Sequence, residues 1–122
     1  MKKILLAGQD DFLISVYSSC LRNLGYGIVV ARDSGTVIGR ILKTNPDLLV
    51  LDADLPGGDG FRILKELRHD PELKKIKTIM LFSFAGEQAI LKNSDLGAVR
   101  YFKKTENTAK DLAEEIKRIL YN

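Results

Sequence analysis

The fold is decided by one stretch, Leu48-Leu49-Val50-Leu51-Asp52-Ala53-Asp54-Leu55-Pro56-Gly57-Gly58-Asp59-Gly60. Its first four residues are apolar on both faces of an extended chain, which is typical of a strand buried on both sides within a parallel sheet. The run ends at the carboxylate of Asp52, and chemistry in open parallel sheets gathers at the carboxyl ends of the strands. The proline and glycines that follow indicate a sharp loop before a helix. We therefore interpret Asp52 as the centre of a functional site.

The composition narrows what the chain can be. Its 122 residues suffice for one core, and we expect a single domain over 1–122 with no output domain. No apolar run reaches the roughly 18 residues of a membrane span, so no membrane association is expected. The lone Cys20 excludes an internal disulfide and fits a reducing compartment. The net charge is +3, but the basic residues are scattered among acidic ones along the chain. This pattern favours a solvated surface over a binding site for an acidic partner.

Short apolar runs alternate with helical periodicity along the whole chain. The predicted strands are 4–7, 27–31, 48–52, 78–83 and 99–103, and a helix is predicted after each, the fourth over about 86–94. The expected buried helix positions are Leu13, Val16, Tyr17, Cys20, Leu21, Leu24; Val37, Ile38, Ile41, Leu42; Phe61, Ile63, Leu64, Leu67; and Leu112, Ile116, Ile119, Leu120. The fifth strand alternates most, which predicts a sheet edge. Such alternation indicates a doubly wound α/β fold with right-handed crossovers.

The segment from Asp52 to Gly60 is similar to the motif D-x-x-[ML]-P-x-x-D-G of response-regulator receiver domains of bacterial two-component signalling. Three further residues match at the expected strand ends: Ser83 after the fourth strand, Tyr101 within the fifth and Lys104 after it. The resemblance covers the whole chain. It implies a five-stranded parallel sheet of order 2-1-3-4-5 in a flavodoxin-like three-layer αβα sandwich.

The resemblance also implies a chemistry. Asp52 would accept a phosphoryl group from a histidine kinase or phosphotransfer protein, with Mg²⁺ neutralising charge. Lys104 would pair with the phosphoryl group, Ser83 would bond one of its oxygens, and Tyr101 would follow Ser83 inward. A downstream protein partner would read this change on the face of the fourth helix, fifth strand and fifth helix. From the resemblance we also expect a cytoplasmic protein that is at most a self-phosphorylating phosphoacceptor and not a classical enzyme.

One departure from the family concerns the metal. The family carries two adjacent acidic residues just after the first strand, whereas Gly8 and Gln9 stand there in this chain and the Asp10-Asp11 pair follows. Mg²⁺ depends on one or two carboxylates plus phosphate oxygens. We therefore expect a weak or absent Mg²⁺ site, held by Asp52, Asp54 and the amide oxygen of Gln9.

Two lesser departures lie near the same site. Phe84 follows Ser83 where the family usually has a small residue, which predicts a narrower entrance. Thr105 replaces a proline whose preceding bond is typically cis in the family, and a non-proline residue makes cis costly, so we expect a trans bond. In addition, the loop from Ser83 to Gly97 is about one residue shorter than in the family.

Other interpretations stay open. The chain could be a pseudo-receiver, a phosphorylation-independent protein-interaction module. Asp52 could merely cap a loop, and Tyr101 could merely pack. A flavin- or nucleotide-binding domain is disfavoured, because the loop after the first strand offers one glycine and two anions to a phosphate. No helix-turn-helix accompanies the domain, so direct nucleic-acid binding is not expected. His69 has no partner in sequence and is interpreted as solvated.

Overall fold

A computed structural model describes residues 1–56, 60–83 and 97–121. The strands are β1 (Lys3–Ala7), β2 (Gly27–Ala31), β3 (Leu48–Asp52), β4 (Lys77–Phe82) and β5 (Arg100–Lys103). The helices are α1 (Asp11–Asn23), α2 (Ser34–Thr44), α3 (Gly60–His69) and Ala109–Tyr121, called the last helix below, and a short 3₁₀ turn spans Lys104–Glu106. The predicted fourth helix, Phe84 and the 57–59 part of the motif lie outside the described residues.

The five strands form one sheet of order β2-β1-β3-β4-β5, and every neighbouring pair is parallel. This order confirms the predicted doubly wound, flavodoxin-like fold. All five residues of β3 are buried, because β1 and β4 flank the strand and helices cover both of its faces. β5 lies at the edge as predicted. β4 ends one residue before its predicted end, so Ser83 lies just beyond the strand.

Alternate residues of the strands form two cores, one on each face of the sheet. The core under α2 and α3 includes Leu5, Leu49, Leu51, Val37, Ile41, Leu64, Leu67 and Met80. The core under α1 and the last helix includes Ile4, Leu6, Val50, Tyr17, Leu21, Leu81, Phe102, Leu112 and Ile116. Burial of these side chains supplies most of the stabilisation, at roughly 25 cal/mol per Å² of apolar surface. The two cores make the three-layer sandwich.

The predicted buried faces of α3 and the last helix are confirmed, although Ile119 and Leu120 are only half-buried. The predicted faces of α1 and α2 are wrong at Val16, Leu24 and Leu42, which are exposed. In α1 the inward positions are instead Ile14, Tyr17, Ser18 and Leu21. Helix phase is set by what the neighbouring layer can accommodate, so the small polar Ser18 is buried while a larger apolar residue faces water.

Side-chain caps fix where the helices begin. Asp10, not Asp11, caps α1, because its Oδ1 accepts the N–H groups of Phe12 at 3.0 Å and Leu13 at 3.2 Å. Thr108 caps the last helix, because its hydroxyl accepts the N–H of Asp111 at 3.2 Å. Gly25 ends α1 with φ of 94°, a left-handed conformation that suits glycine. None of the helices in the described parts of the chain has the length and apolarity to cross a bilayer.

Candidate functional site

The centre of the site is an ion pair at the carboxyl edge of the sheet. Nζ of Lys104 donates a hydrogen bond to Oδ2 of Asp52 at 2.8 Å. The Asp52 side chain is 5% exposed and that of Lys104 is 15% exposed, so the pair is largely shielded from water. β3 places Asp52 at its last position, and the residue after β5 supplies Lys104. The structure therefore brings together two residues that lie 52 positions apart.

The second carboxylate oxygen of Asp52 is held by the backbone. The N–H of Asp54 donates to Oδ1 of Asp52 at 2.9 Å, which closes a short turn directly after β3. The N–H of Ala53 donates to the carbonyl of Leu81, and that of Gly60 donates to the carbonyl of Ala53. These bonds fix both ends of the loop. Asp52 thus lies in one orientation, with both oxygens hydrogen-bonded.

Ser83, Asp54 and Gln9 lie around the rim of the site. The hydroxyl of Ser83 is 3.5 Å from Oδ2 of Asp54, which is at the limit of a hydrogen bond. Nε2 of Gln9 donates to the carbonyl oxygen of Asp54 at 3.1 Å. Asp54 and Gln9 are exposed, whereas Ser83 is half-buried. The structure therefore links all three residues named by the sequence, and Asp54 is the residue they share.

Gly8 lies directly beside Asp52. A Cβ atom built on Gly8 would be 3.6 Å from Cβ of Asp52 and 3.8 Å from its Oδ2. A side chain at position 8 would therefore begin directly beside Asp52. The glycine leaves a cavity of about 20 Å³ lined by Gly8, Asp10, Tyr17 and Asp52 among apolar neighbours. This volume is enough for about one water molecule.

The two aspartates that follow Gln9 are engaged elsewhere. Asp10 caps α1 with its Oδ1, although the residue also borders the cavity. Asp11 is exposed and forms an ion pair with Arg32, which follows β2. Within 1–56, 60–83 and 97–121 no three acidic, histidine or cysteine residues are grouped so that they could hold a metal ion. The carboxylates in reach of a cation near Asp52 are therefore few.

Tyr17 is a neighbour of Asp52 that sequence reasoning placed only in the core. Burial raises the pKa of the Tyr17 phenol above its usual value, and the negative charges of Asp52 and Asp10 raise it further. The phenol is therefore neutral at physiological pH. No sequence signal indicated that Tyr17 lies beside Asp52, because this proximity depends on the tertiary packing of α1 on the sheet.

Tyr101 lies away from the ion pair, on the face of the sheet that α3 covers. Its ring is half-buried against that core. The nearby Arg68 donates to the carbonyl of Gly97, the carbonyl of Lys74 and the hydroxyl of Thr78, each at 3.1 Å. Burial lowers the pKa of the Arg68 guanidinium, and Tyr101 partly offsets this effect. Arg68 thus ties α3 to the turn that leads into β5.

The remaining residues singled out by the sequence have structural environments. His69 is exposed, and its Nδ1 lies 2.7 Å from the carbonyl of Lys65. Cys20 is half-buried, with Sγ 3.8 Å from the carbonyl of Ala109. The described peptide bonds are all trans, including the bond before Thr105, as predicted.

The chain can be compared with known proteins on this basis. Residues 4–117 match the family model of the response regulator receiver domain, so the chain belongs to that family. It is 30% identical over 118 residues to chemotaxis protein CheY-3 of Vibrio cholerae, covering 96% of this chain and 90% of that protein. The chain is therefore a receiver domain of two-component signalling, and the predicted resemblance is confirmed.

Two solved structures show the same fold. A CheY-like response regulator receiver domain protein from Methanospirillum hungatei has a TM-score of 0.87 at 25% identity, over 98% of this chain and 94% of that one. The Mn(2+)-bound form of response regulator Rcp1 has a TM-score of 0.80 at 25% identity, over 98% and 91% of the two chains.

Proposed function

We propose that this receiver domain accepts a phosphoryl group on Asp52 from a cytoplasmic histidine kinase or phosphotransfer protein. The observation that carries the proposal is the ion pair between Asp52 and Lys104, 2.8 Å apart and largely shielded from water. A carboxylate held in one orientation beside a cation is suited to act as a nucleophile toward an anionic phosphorus centre. A carboxylate that only capped the loop would need no ammonium group on its other oxygen.

The transfer itself needs little covalent chemistry from the protein. An oxygen of Asp52 forms a bond to phosphorus, and the bond between phosphorus and the donor breaks, its electron pair leaving with the donor. Lys104 neutralises the negative charge that gathers on the phosphoryl oxygens. Ser83 is half-buried at the rim, and its hydroxyl exchanges a weak contact with Asp54 for a hydrogen bond to the phosphoryl group. Asp52 and Lys104 thus carry the reaction.

The metal site is proposed to be weak. Mg²⁺ and Mn²⁺ favour oxygen ligands, and Asp52, Asp54 and Gln9 are the described residues that would supply them. A bound divalent ion would neutralise phosphoryl charge alongside Lys104. The missing side chain at Gly8 and the use of Asp10 as a helix cap remove carboxylates from this place. Rcp1 has been solved with Mn²⁺ bound, so the fold is compatible with such an ion.

The output is proposed to pass to a downstream protein partner. Ser83 follows β4, and Tyr101 pairs in register with Met80 of the same strand. A shift of Ser83 toward the phosphoryl group would alter the packing that positions the half-buried ring of Tyr101. The surface that includes β5 and the last helix would then report the state of Asp52.

A second function, that of a pseudo-receiver, is favoured by one observation. Both oxygens of Asp52 already have partners within the chain, namely Lys104 and the N–H of Asp54. A module with this arrangement could present its surface to partners without modification. The two functions differ in a single measurable event, the formation of an aspartyl phosphate.

That event can be measured by mass spectrometry of the intact protein. After incubation with acetyl phosphate and Mg²⁺, phosphorylation adds about 80 Da, the mass of one phosphoryl group. The gain is expected in the wild-type protein and should be lost in Asp52→Asn. Asp47→Asn is the matched control, since Asp47 is exposed and directly precedes β3, at the opposite end of that strand from Asp52. A wild-type protein that gains no mass while a known receiver does so under the same conditions supports the pseudo-receiver.

A further inference from the structure

A groove far from Asp52 runs between the end of α1 and the last helix. It has a volume of about 680 Å³ and is bordered by Met1, Lys2, the 23–26 turn after α1, and one face of the last helix. Lys110, Ala113, Glu114, Lys117 and Tyr121 line it from that helix, at spacings of three and four residues. The last helix therefore has two stripes, one packed in the core and one facing this groove.

The groove combines apolar surface with positive charge. Leu24 is 61% exposed and Tyr121 59% exposed, and both lie on its border together with Met1. Isolated exposed apolar residues are common, but a group of them around one concavity is typical of an interaction site. The described charged residues that line the groove are the three lysines Lys2, Lys110 and Lys117 against one acidic residue, Glu114.

We infer that this groove, called the α1–last-helix groove below, binds an amphipathic helix of a partner protein that carries acidic residues beside its apolar stripe. The stretch from Lys110 to Tyr121 spans about 16 Å at ~1.5 Å per residue, which is the length of about three turns of a docked helix. Apolar side chains at helical spacing would cover Leu24 and Tyr121, and flanking carboxylates would meet the lysines. The inference goes beyond the proposed function and does not depend on phosphorylation.

Charge also argues against a second copy of this chain as the occupant. A twofold dimer would bring the same surface of each copy together. Lysines from both copies would then face one another across the apolar centre, which is unfavourable. An acidic partner instead offsets the charge that the groove presents.

The groove can be tested with designed peptides that carry a tryptophan. Because the chain contains no tryptophan of its own, tryptophan fluorescence then comes from the peptide alone. One peptide of about three helical turns carries a tryptophan and leucines on one face and glutamates elsewhere. A second has lysines in place of the glutamates, and a third has the acidic composition with the apolar stripe scrambled. The change in tryptophan fluorescence on adding the protein reports binding of each peptide. Preference for the first peptide, weakening with salt, is the expected result.

Exposed residues of the groove provide variants that should fold normally. Lys117→Glu and Leu24→Ser are each expected to weaken binding of the acidic peptide by about fivefold or more. Lys75→Glu makes the same charge change at an exposed lysine outside the groove and should alter binding by less than about twofold. Circular dichroism of each variant checks that the fold is kept. Asp52→Asn should bind like the wild type, so failure of phosphorylation would leave this test intact.

Several results would overturn the inference. Equal binding of the acidic and basic peptides would show that the lysines do not select the partner. Equal binding of the scrambled peptide would show that binding does not need an apolar stripe that fits the groove. Acidic binding that Lys117→Glu and Leu24→Ser leave unchanged would place the peptide elsewhere. Sedimentation equilibrium that finds a wild-type dimer, lost in Leu24→Ser, would assign the groove to a second copy.

Discussion

Lys104 and Asp52 form a hydrogen-bonded ion pair at 2.8 Å, although the side chains come from the ends of β5 and β3, with β4 between these strands in the sheet. Asp52 is the more deeply buried partner. Its charge is tolerated there because Lys104 contacts one oxygen and the N–H of Asp54 the other. Loss of either partner would therefore leave the charge of the other uncompensated in a site that is largely shielded from water.

Lys104→Gln is expected to destabilise the fold. It leaves the buried carboxylate of Asp52 without its counter-charge, at a cost of about 2–3 kcal/mol. The cost is no larger because water can reach the place of the lost ammonium group and partly solvate the carboxylate. Urea denaturation at neutral pH measures the free energy of unfolding. Asp52→Asn/Lys104→Gln should recover part of the loss, because the double variant has no buried charge to compensate.

Lys75→Gln is the matched control for that prediction. Lys75 is an exposed lysine outside the site. Its substitution should change the free energy of unfolding by less than about 0.5 kcal/mol. If the two single variants lost equal stability, the ion pair with Asp52 would not be the cause.

Gly8→Asp is expected to strengthen Mg²⁺ binding. The new side chain would start 3.6 Å from Cβ of Asp52, so a second carboxylate would enter the site. A unit charge about 4 Å away contributes up to about 4 kcal/mol at an effective dielectric near 20, before desolvation, so an affinity gain of about tenfold or more is expected. Isothermal titration with Mg²⁺ measures it. Sub-millimolar affinity in the wild-type protein would contradict the proposed weak site.

The same variant should depend on Mg²⁺ for its stability. Without metal, two carboxylates repel each other and Gly8→Asp should melt below the wild type; with Mg²⁺, its melting temperature should rise by several degrees more than that of the wild type. Gly39→Asp is the control, since a Cβ at that exposed helix position would meet no atom within 4 Å beyond its chain neighbours and the backbone of its own helix. It adds the same charge and should show no such Mg²⁺ dependence.

The sequence predicted the sheet more completely than the helix faces. β3 could be located because four consecutive apolar residues, followed by a proline- and glycine-containing loop, are typical of a short strand covered on both sides. The phase of α1 could not be found from apolarity, since Val16 and Leu24 are as apolar as Ile14 and only the packing of the helix on the sheet distinguishes them. Which of Asp10 and Asp11 caps α1 depends on local backbone geometry that either residue could supply.

In the site, too, some features could be predicted from the sequence and others depend on tertiary packing. The resemblance to receiver domains implied roles for Asp52 and Lys104 in one site, because Asp52 lies in the matched motif and Lys104 follows the fifth strand as the family lysine does. The contact between Ser83 and Asp54 depends on side-chain rotamers in two loops, and no residue pattern reports those. Tyr17 was assigned to the core, because no sequence signal distinguishes a buried aromatic beside a carboxylate from one among apolar residues.

Gly60→Ala is expected to disrupt the start of α3. A Cβ atom there would lie 2.5 Å from the carbonyl oxygen of Asp52 and 2.9 Å from Cα of Ala53, and neither backbone atom can move aside cheaply. We expect a loss of about 3 kcal/mol or more, at the upper end of the cost of overpacking. Gly39→Ala has open space within a helix and should be neutral or stabilising by up to about 1 kcal/mol. Thermal and urea denaturation of the two variants check the difference.

The pKa of Tyr17 provides a test of the charge on Asp52 in solution. Burial contributes most to the elevation of the Tyr17 pKa above 10.0, and the negative charges of Asp52 and Asp10 add to it by disfavouring the phenolate. Asp52→Asn removes one of those charges, so the pKa of Tyr17 should fall toward 10.0 while remaining above it. Tyr26 is an internal control, because burial and Tyr121 raise its pKa without Asp52. NMR titration of the tyrosine ring signals follows both groups, and equal changes at Tyr17 and Tyr26 would mean that the substitution loosens the core as a whole.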